Sequence, residues 1–97
     1  MNTRYTADEL KQNKIAINTQ TEGEFNKLLD WAFEQGLTWD NGESLQERKT
    51  EDGMKFYLIE AENTCVSFEE NGLIFCDRIY YEDEMKQKVI SMDEFFI

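Results

Sequence analysis

The chain contains no histidine. That removes every mechanism built on an imidazole base. Cysteine is scarce too, with only Cys65 and Cys76. Two thiols with no imidazole to complete a tetrahedral set do not make a zinc site. Neither thiol has a histidine to activate it as a nucleophile. A single disulfide is feasible on number, but an intracellular chain keeps both thiols reduced, and both read as small apolar strand residues. No apolar run approaches the roughly 18 residues that span a bilayer. The opening "MNTRYTADEL" lacks the apolar core of a secretory signal. There is no G-x-S-x-G, P-loop or G-x-G-x-x-G motif. "DNGESLQE" lacks the ligand spacing of a calcium loop. With 21 acidic residues some carboxylates always lie close, so no glycosidase-like pair is assigned. The expectation is a soluble, cytoplasmic, non-enzymatic protein with no metal and no cofactor.

Basic residues are also few. Ten Lys and Arg face 21 Asp and Glu, for a net charge of −11. The imbalance is steeper toward the C-terminus: residues 59–97 carry ten acids and three bases, Arg78, Lys86 and Lys88. Such a field repels nucleic acid and anionic lipid and attracts basic surfaces, many of which are nucleic-acid-binding grooves. An acidic surface also keeps a small protein soluble, and composition alone does not separate the two uses.

What is present is enough for one folded domain. Ninety-seven residues, 40% apolar and 13% aromatic, support a single core. Residues 1–13 read as a short helical or flexible segment, with a capping box at Thr6 and Glu9. "KIAIN" (14–18) alternates as a strand. A second capping box, Thr21 and Glu24, opens a helix over 22–35. Its apolar stripe is Phe25, Leu28, Leu29, Ala32 and Phe33, and Gly36 stands at the C-terminal cap. "LTW" (37–39) reads as a short strand before a turn at Asn41-Gly42, with Trp39 in the core. "SLQER" is an irregular strand, "TEDGM" a turn, and "KFYLIEA" (55–61) a central strand. "TCVSFE" and "LIFCDRI" flank Asn71-Gly72 as a hairpin, and "QKVISM" (87–92) is the last strand.

A two-residue type I′ loop at Asn71-Gly72 sets Phe68 opposite Phe75 and Val66 opposite Asp77. Val66, Phe68, Leu73 and Phe75 then share the face that meets the helix. Cys65, Ser67, Ile74, Cys76 and Arg78 share the other, with the two cysteines diagonal. The expected fold is α+β, a single domain of order β-α-β-β-β-β. One main helix packs on a mainly antiparallel sheet of about 4–5 strands. Phe25, Leu29, Phe33, Phe56 or Tyr57, Phe68 and Phe75 are the expected core. The second sheet face must be solvated, covered by the chain ends, or used.

Three segments carry a resemblance. They are the strand and threonine-capped helix ending in Gly36-x-x-Trp39, the "NTC" strand at Asn63–Cys65 with the Asn71-Gly72 hairpin, and the tyrosine pair before "VISMDEFF". Over about residues 14–96 the chain resembles small acidic proteins encoded by bacteriophages and prophages. In size and acidity it is similar to anti-CRISPR and other counter-defence inhibitors. The resemblance implies an inhibitor acting in the cytoplasm of an infected host.

Two features suit a binding role. Trp31 stands off the helix stripe, either draped over a neighbouring loop or exposed as an aromatic anchor. Tyr80 and Tyr81 run into Glu82, Asp83 and Glu84. In an extended segment one tyrosine packs inward while the other stands among carboxylates, an arrangement suited to arginine on a partner. The same stretch equally reads as a polar loop. Trp31, Tyr80, Tyr81, Glu82, Asp83 and Glu84 are the candidate partner-binding residues. The partner is a host protein with a basic surface, and the acids partly mimic nucleic-acid charge. Two alternatives stand beside this: a nucleotide-binding sponge, and a subunit that forms a homodimer through its free sheet face. The acidity argues against the sponge, for which only Arg78, Lys55 and the Thr21 cap are available to phosphate.

Overall fold

The computed structural model describes residues 2–40, 42–45 and 63–97. The strand expected at 55–61, the core positions Phe56 and Tyr57, the 50–54 turn and most of "SLQER" lie outside them. The described elements are helix α1 (Ala7–Gln12), strand β1 (Ile15–Asn18), helix α2 (Glu22–Glu34) and strands β2 (Thr64–Glu69) and β3 (Gly72–Asp77). A π-helical turn (Tyr80–Glu84), strand β4 (Lys88–Ser91) and helix α3 (Met92–Phe95) follow. The strands form one sheet in the order β3-β2-β1-β4. Its β1–β2 and β2–β3 pairings are antiparallel and its β1–β4 pairing is parallel. The fold is α+β, with a mixed sheet. No described helix is long and apolar enough to cross a membrane.

The caps follow from local chemistry. Thr6 and Glu9 form the expected capping box on α1, and Ser91 and Glu94 form another on α3. At α2 the Thr21 hydroxyl accepts from the Glu24 N–H, while the Glu24 carboxylate reaches back to the Gln20 N–H. The far end closes with Gly36 at φ +82. Gly36 N–H donates to the Phe33 carbonyl and Leu37 N–H to that of Ala32. This is the paired bonding that satisfies orphan carbonyls after a left-handed glycine.

The buried face of α2 is rotated from the expected stripe. Phe25, Leu28, Leu29 and Ala32 are buried as expected, but Phe33 is 47% exposed and Trp31 only 8%. The cause is the C-terminal segment, which docks on the Trp31 side. The Trp31 ring lies edge-on to Phe95 at 4.9 Å, Phe68 at 6.1 Å and Phe96 at 6.5 Å. Lys27 Nζ covers the Phe96 ring at 4.6 Å. At 100° per residue, moving the stripe to include position 31 turns position 33 out toward solvent. Trp31 is thus a core residue, which corrects its reading as an anchor for a partner.

The hairpin register also differs from expectation, by two residues. Val66 pairs with Phe75, Phe68 with Leu73, and Cys65 with Cys76. A slip of two keeps each side chain on its face, so Val66, Phe68, Leu73 and Phe75 still meet the helices. Glu70 and Asn71 form the tip, and Gly72 enters the ladder at φ +143. The segment after α2 crosses it there: Leu73 N–H donates to the Thr38 carbonyl and Asp40 N–H to that of Leu73. The "LTW" strand therefore amounts to a single parallel bridge between Trp39 and Leu73. Trp39 is buried, its ring 5.0 Å from that of Phe75. A Cβ on Gly72 would stand 2.4 Å from the Thr38 carbonyl oxygen. The glycine thus serves the close crossing rather than a type I′ turn.

Three substitutions test this packing. Trp31→Ala should cost about 3–5 kcal/mol, because it empties a large aromatic site in the core. Phe33→Ala should cost under about 1 kcal/mol. Gly72→Ala should cost about 2 kcal/mol or more, from its dihedral and the backbone clash. Urea unfolding of the three variants measures all of these. A Phe33 variant less stable than the Trp31 variant would contradict the rotated helix face.

Candidate functional site

The sheet has a second face, opposite the helices. Ala16 on β1, Cys65 on β2 and Val89 on β4 turn their side chains to it. Ala16 and Cys65 are fully buried there by Tyr81, which is itself 0% exposed. Tyr80, Cys76 and Val89 pack around them. The Tyr81 hydroxyl donates to Ser67 Oγ at 2.9 Å, and both groups are buried. The buried Asn18 amide donates to the Thr64 carbonyl at 3.1 Å. The face left unassigned by the sequence is thus covered, at least over β1 and β2, by the turn that follows β3.

That turn is "YYEDE". It is one π-helical turn, not an extended segment: Met85 N–H donates to the Tyr80 carbonyl five residues back, at 3.0 Å. The Asp77 carboxylate accepts from the Tyr80 N–H at 2.8 Å and starts it. The Gln87 N–H donates to the Tyr81 carbonyl at 2.8 Å and ends it. The wider π spacing sends Tyr81 down into the sheet and leaves Glu82, Asp83 and Glu84 exposed. Tyr80 is half-buried, its ring 5.2 Å from that of Tyr81 and nearly perpendicular to it. Ile79 and Met85 flank the acids, 65% and 48% exposed. Exposed carboxylates between two exposed apolar side chains make a small mixed patch on a fixed base.

The six sequence-derived candidates therefore divide. Glu82, Asp83 and Glu84 lie together on the surface, and Tyr80 borders them. Tyr81 is buried and positions the turn from below, which corrects its reading as a contact residue. Trp31 lies on the other side of the sheet and is not part of this patch. Sequence reasoning missed Asp77 and Ser67. Asp77 stands three residues before Tyr80, the spacing of a helix cap, and Ser67 shares a strand face with Cys65.

Charge within the patch is uneven. Arg78 Nε donates to Glu82 Oε1, and that bond holds the guanidinium pKa above its usual value. Asp83 and Glu84 have no such ion pair among the described residues. Underneath, burial pushes the Tyr81 phenol up, against the Ser67 hydrogen bond. Burial likewise pushes the Cys65 thiol up to about 11, opposed by its contact with Asn18. A thiol so far from ionisation is a poor nucleophile at neutral pH. Among the described residues no three Cys, Asp or Glu side chains cluster as metal ligands do.

Two cavities lie elsewhere. One of about 160 Å³ sits between α1 and the β2–β3 hairpin, its charged lining being Lys11, Asp8, Glu69 and Glu70. The other, about 290 Å³, runs along α2, its charged lining being Lys27, Asp30 and Glu34. Acids outnumber bases in both, which disfavours phosphate ligands. No family model, curated protein or solved structure matches the chain.

Stability should fall in alkali. The Cys65 thiol ionises near 9.0 when unfolded and near 11 when folded. Across that interval the folded chain keeps a proton that the unfolded chain gives up. The loss is about 1.4 kcal/mol per pH unit. Tyr81 adds to it above its ordinary value of 10.0. Tyr81→Phe should flatten the slope above that pH. It should also cost about 1–2 kcal/mol at pH 7, since Ser67 loses its buried partner. Urea midpoints from pH 7 upward measure both effects, and an unchanged slope in the variant would place the titration elsewhere.

Proposed function

We propose that the protein is a non-enzymatic binding protein that docks the acidic turn, Glu82, Asp83 and Glu84, on a basic surface of another protein. Its resemblance to phage counter-defence proteins suggests a host protein that handles nucleic acid or defends against phage. On that surface the carboxylates would partly substitute for phosphate charge. The observation that carries this reading is the anchoring of the turn. Tyr81 is fully buried beneath three exposed acids, so the charges are held on a rigid base. A preorganised patch loses little conformational entropy on binding, which favours affinity. Asp83 and Glu84 supply charge not already neutralised within the described chain, and Ile79 and Met85 supply apolar area beside it.

The test uses the protein as bait in host lysate, followed by binding measurements on the purified partner. Glu82→Lys/Asp83→Lys/Glu84→Lys should fold normally, because exposed charges contribute little to stability. Its affinity should drop at least ~10-fold, mainly through slower association. Wild-type affinity should weaken with salt, since the attraction is screened within about 8–10 Å at physiological ionic strength. A folded triple variant with wild-type affinity and wild-type salt dependence would exclude the turn as the docking surface.

A further inference from the structure

Cys65 and Cys76 face each other directly across the β2–β3 ladder, and neither is in a disulfide. The ladder position can be read from neighbouring hydrogen bonds. Thr19 N–H donates to the Thr64 carbonyl at 2.8 Å, so Thr64 turns its backbone toward β1 and Cys65 turns its own toward β3. On β3, Leu73 N–H donates outward to the Thr38 carbonyl, so Cys76, three residues later, turns inward to β2. The two cysteines thus form a hydrogen-bonded pair, for which Cα atoms stand about 5.5 Å apart. A disulfide spans Cα separations of about 4.4–6.8 Å. Opposed Cβ atoms lie about 4.5–5.5 Å apart and a disulfide prefers roughly 3.5–4.5 Å, so bridging would only draw the strands slightly together.

The two thiols differ in access. Cys65 is 0% exposed beneath Tyr81. Cys76 is only half-buried, at the edge of the same cluster. We propose that they are a reversible thiol–disulfide pair, in which Cys76 meets a small disulfide oxidant such as glutathione disulfide and Cys65 resolves the adduct. The Cys76 thiolate attacks one glutathione sulfur, breaking that disulfide and expelling one glutathione thiolate. Cys65, once deprotonated, attacks the Cys76 sulfur and expels the second. Two protein thiols are oxidised and one glutathione disulfide is reduced to two glutathione molecules, which carry away the two protons. Burial of Cys65 makes the second step the slow one, so the mixed disulfide on Cys76 accumulates first. Because opposed Cβ atoms ordinarily stand further apart than a disulfide prefers, the product would be readily reducible. The bond would form directly under Tyr81 and so beneath the acidic turn.

The experiment is intact-mass measurement of the folded protein across glutathione buffers of increasing oxidised fraction. Wild type should gain one glutathione transiently. It should then lose the mass of two hydrogens as a monomer, and thiol reductant should reverse the change. Cys65→Ser should stop at the stable Cys76 adduct, and folded Cys76→Ser should take up no glutathione. The wild-type measurement decides the matter even if a variant folds poorly. A wild type that stops at a lasting single adduct, stays unmodified while the urea-unfolded chain reacts, or links only to other copies would overturn the pair.

Discussion

Tyr81 lays its ring on Ala16 and Cys65 and donates its hydroxyl to Ser67, at the centre of the sheet face away from the helices. The four described strands form a sheet with apolar side chains on both faces, and such a sheet needs two covers. The helices provide one, and the turn after β3 provides the other. A phenol suits that place because its body is apolar and its one polar atom finds a partner. The depth of the ring sets the path of the chain on either side. Asp77 must start a helical turn as β3 ends, and the chain must widen to π spacing to set Tyr81 down while the next three residues stay in water. A π turn inside ordinary structure is rare and frequently found at functional sites. Here it is tied at both ends by hydrogen bonds.

On the helix side a different contest decided the arrangement. Phe33 and Trp31 competed for the core, and the residues that chose between them lie sixty positions later. Phe95 and Phe96 are brought there by β4, which pairs in parallel with β1 and hands the chain to α3. Arg4 N–H donates to the Phe95 carbonyl at 2.8 Å and fastens that segment from the other side. Once two aromatic rings offered edge-on contacts at position 31, tryptophan gained more by burial than phenylalanine could at position 33.

Local signals were therefore legible and long-range ones were not. The threonine caps, the glycine after α2, the strand faces and the α+β class could be read directly, because each depends on neighbours within a few residues. The hairpin register could not. Asn71-Gly72 has the dipeptide of a two-residue turn, but Gly72 was required where the Thr38–Trp39 backbone crosses β3. That crossing comes from a segment more than thirty residues away. Of the candidate site, the three acids lie on the surface, since nothing in a core could hold them. Trp31 and Tyr81 were misplaced for one reason: large aromatics go where distant chain segments leave space, which periodicity does not record.

This division bears on how an acidic protein can be specific. Charge alone attracts any basic surface and is screened by salt. Discrimination needs the charges fixed relative to one another and to apolar neighbours. The side chains of Asp83 and Glu84 stand exposed to water, but the backbone of the turn is set by groups that water does not reach. Glu82 is further directed by Arg78. In the proposed docking, exposed Ile79 and Met85 would add contacts whose value depends on shape rather than salt. The buried tyrosine thus does for the surface what a helix does for the core. It converts a run of like charges, which would repel one another in a loose loop, into an oriented surface with a defined base.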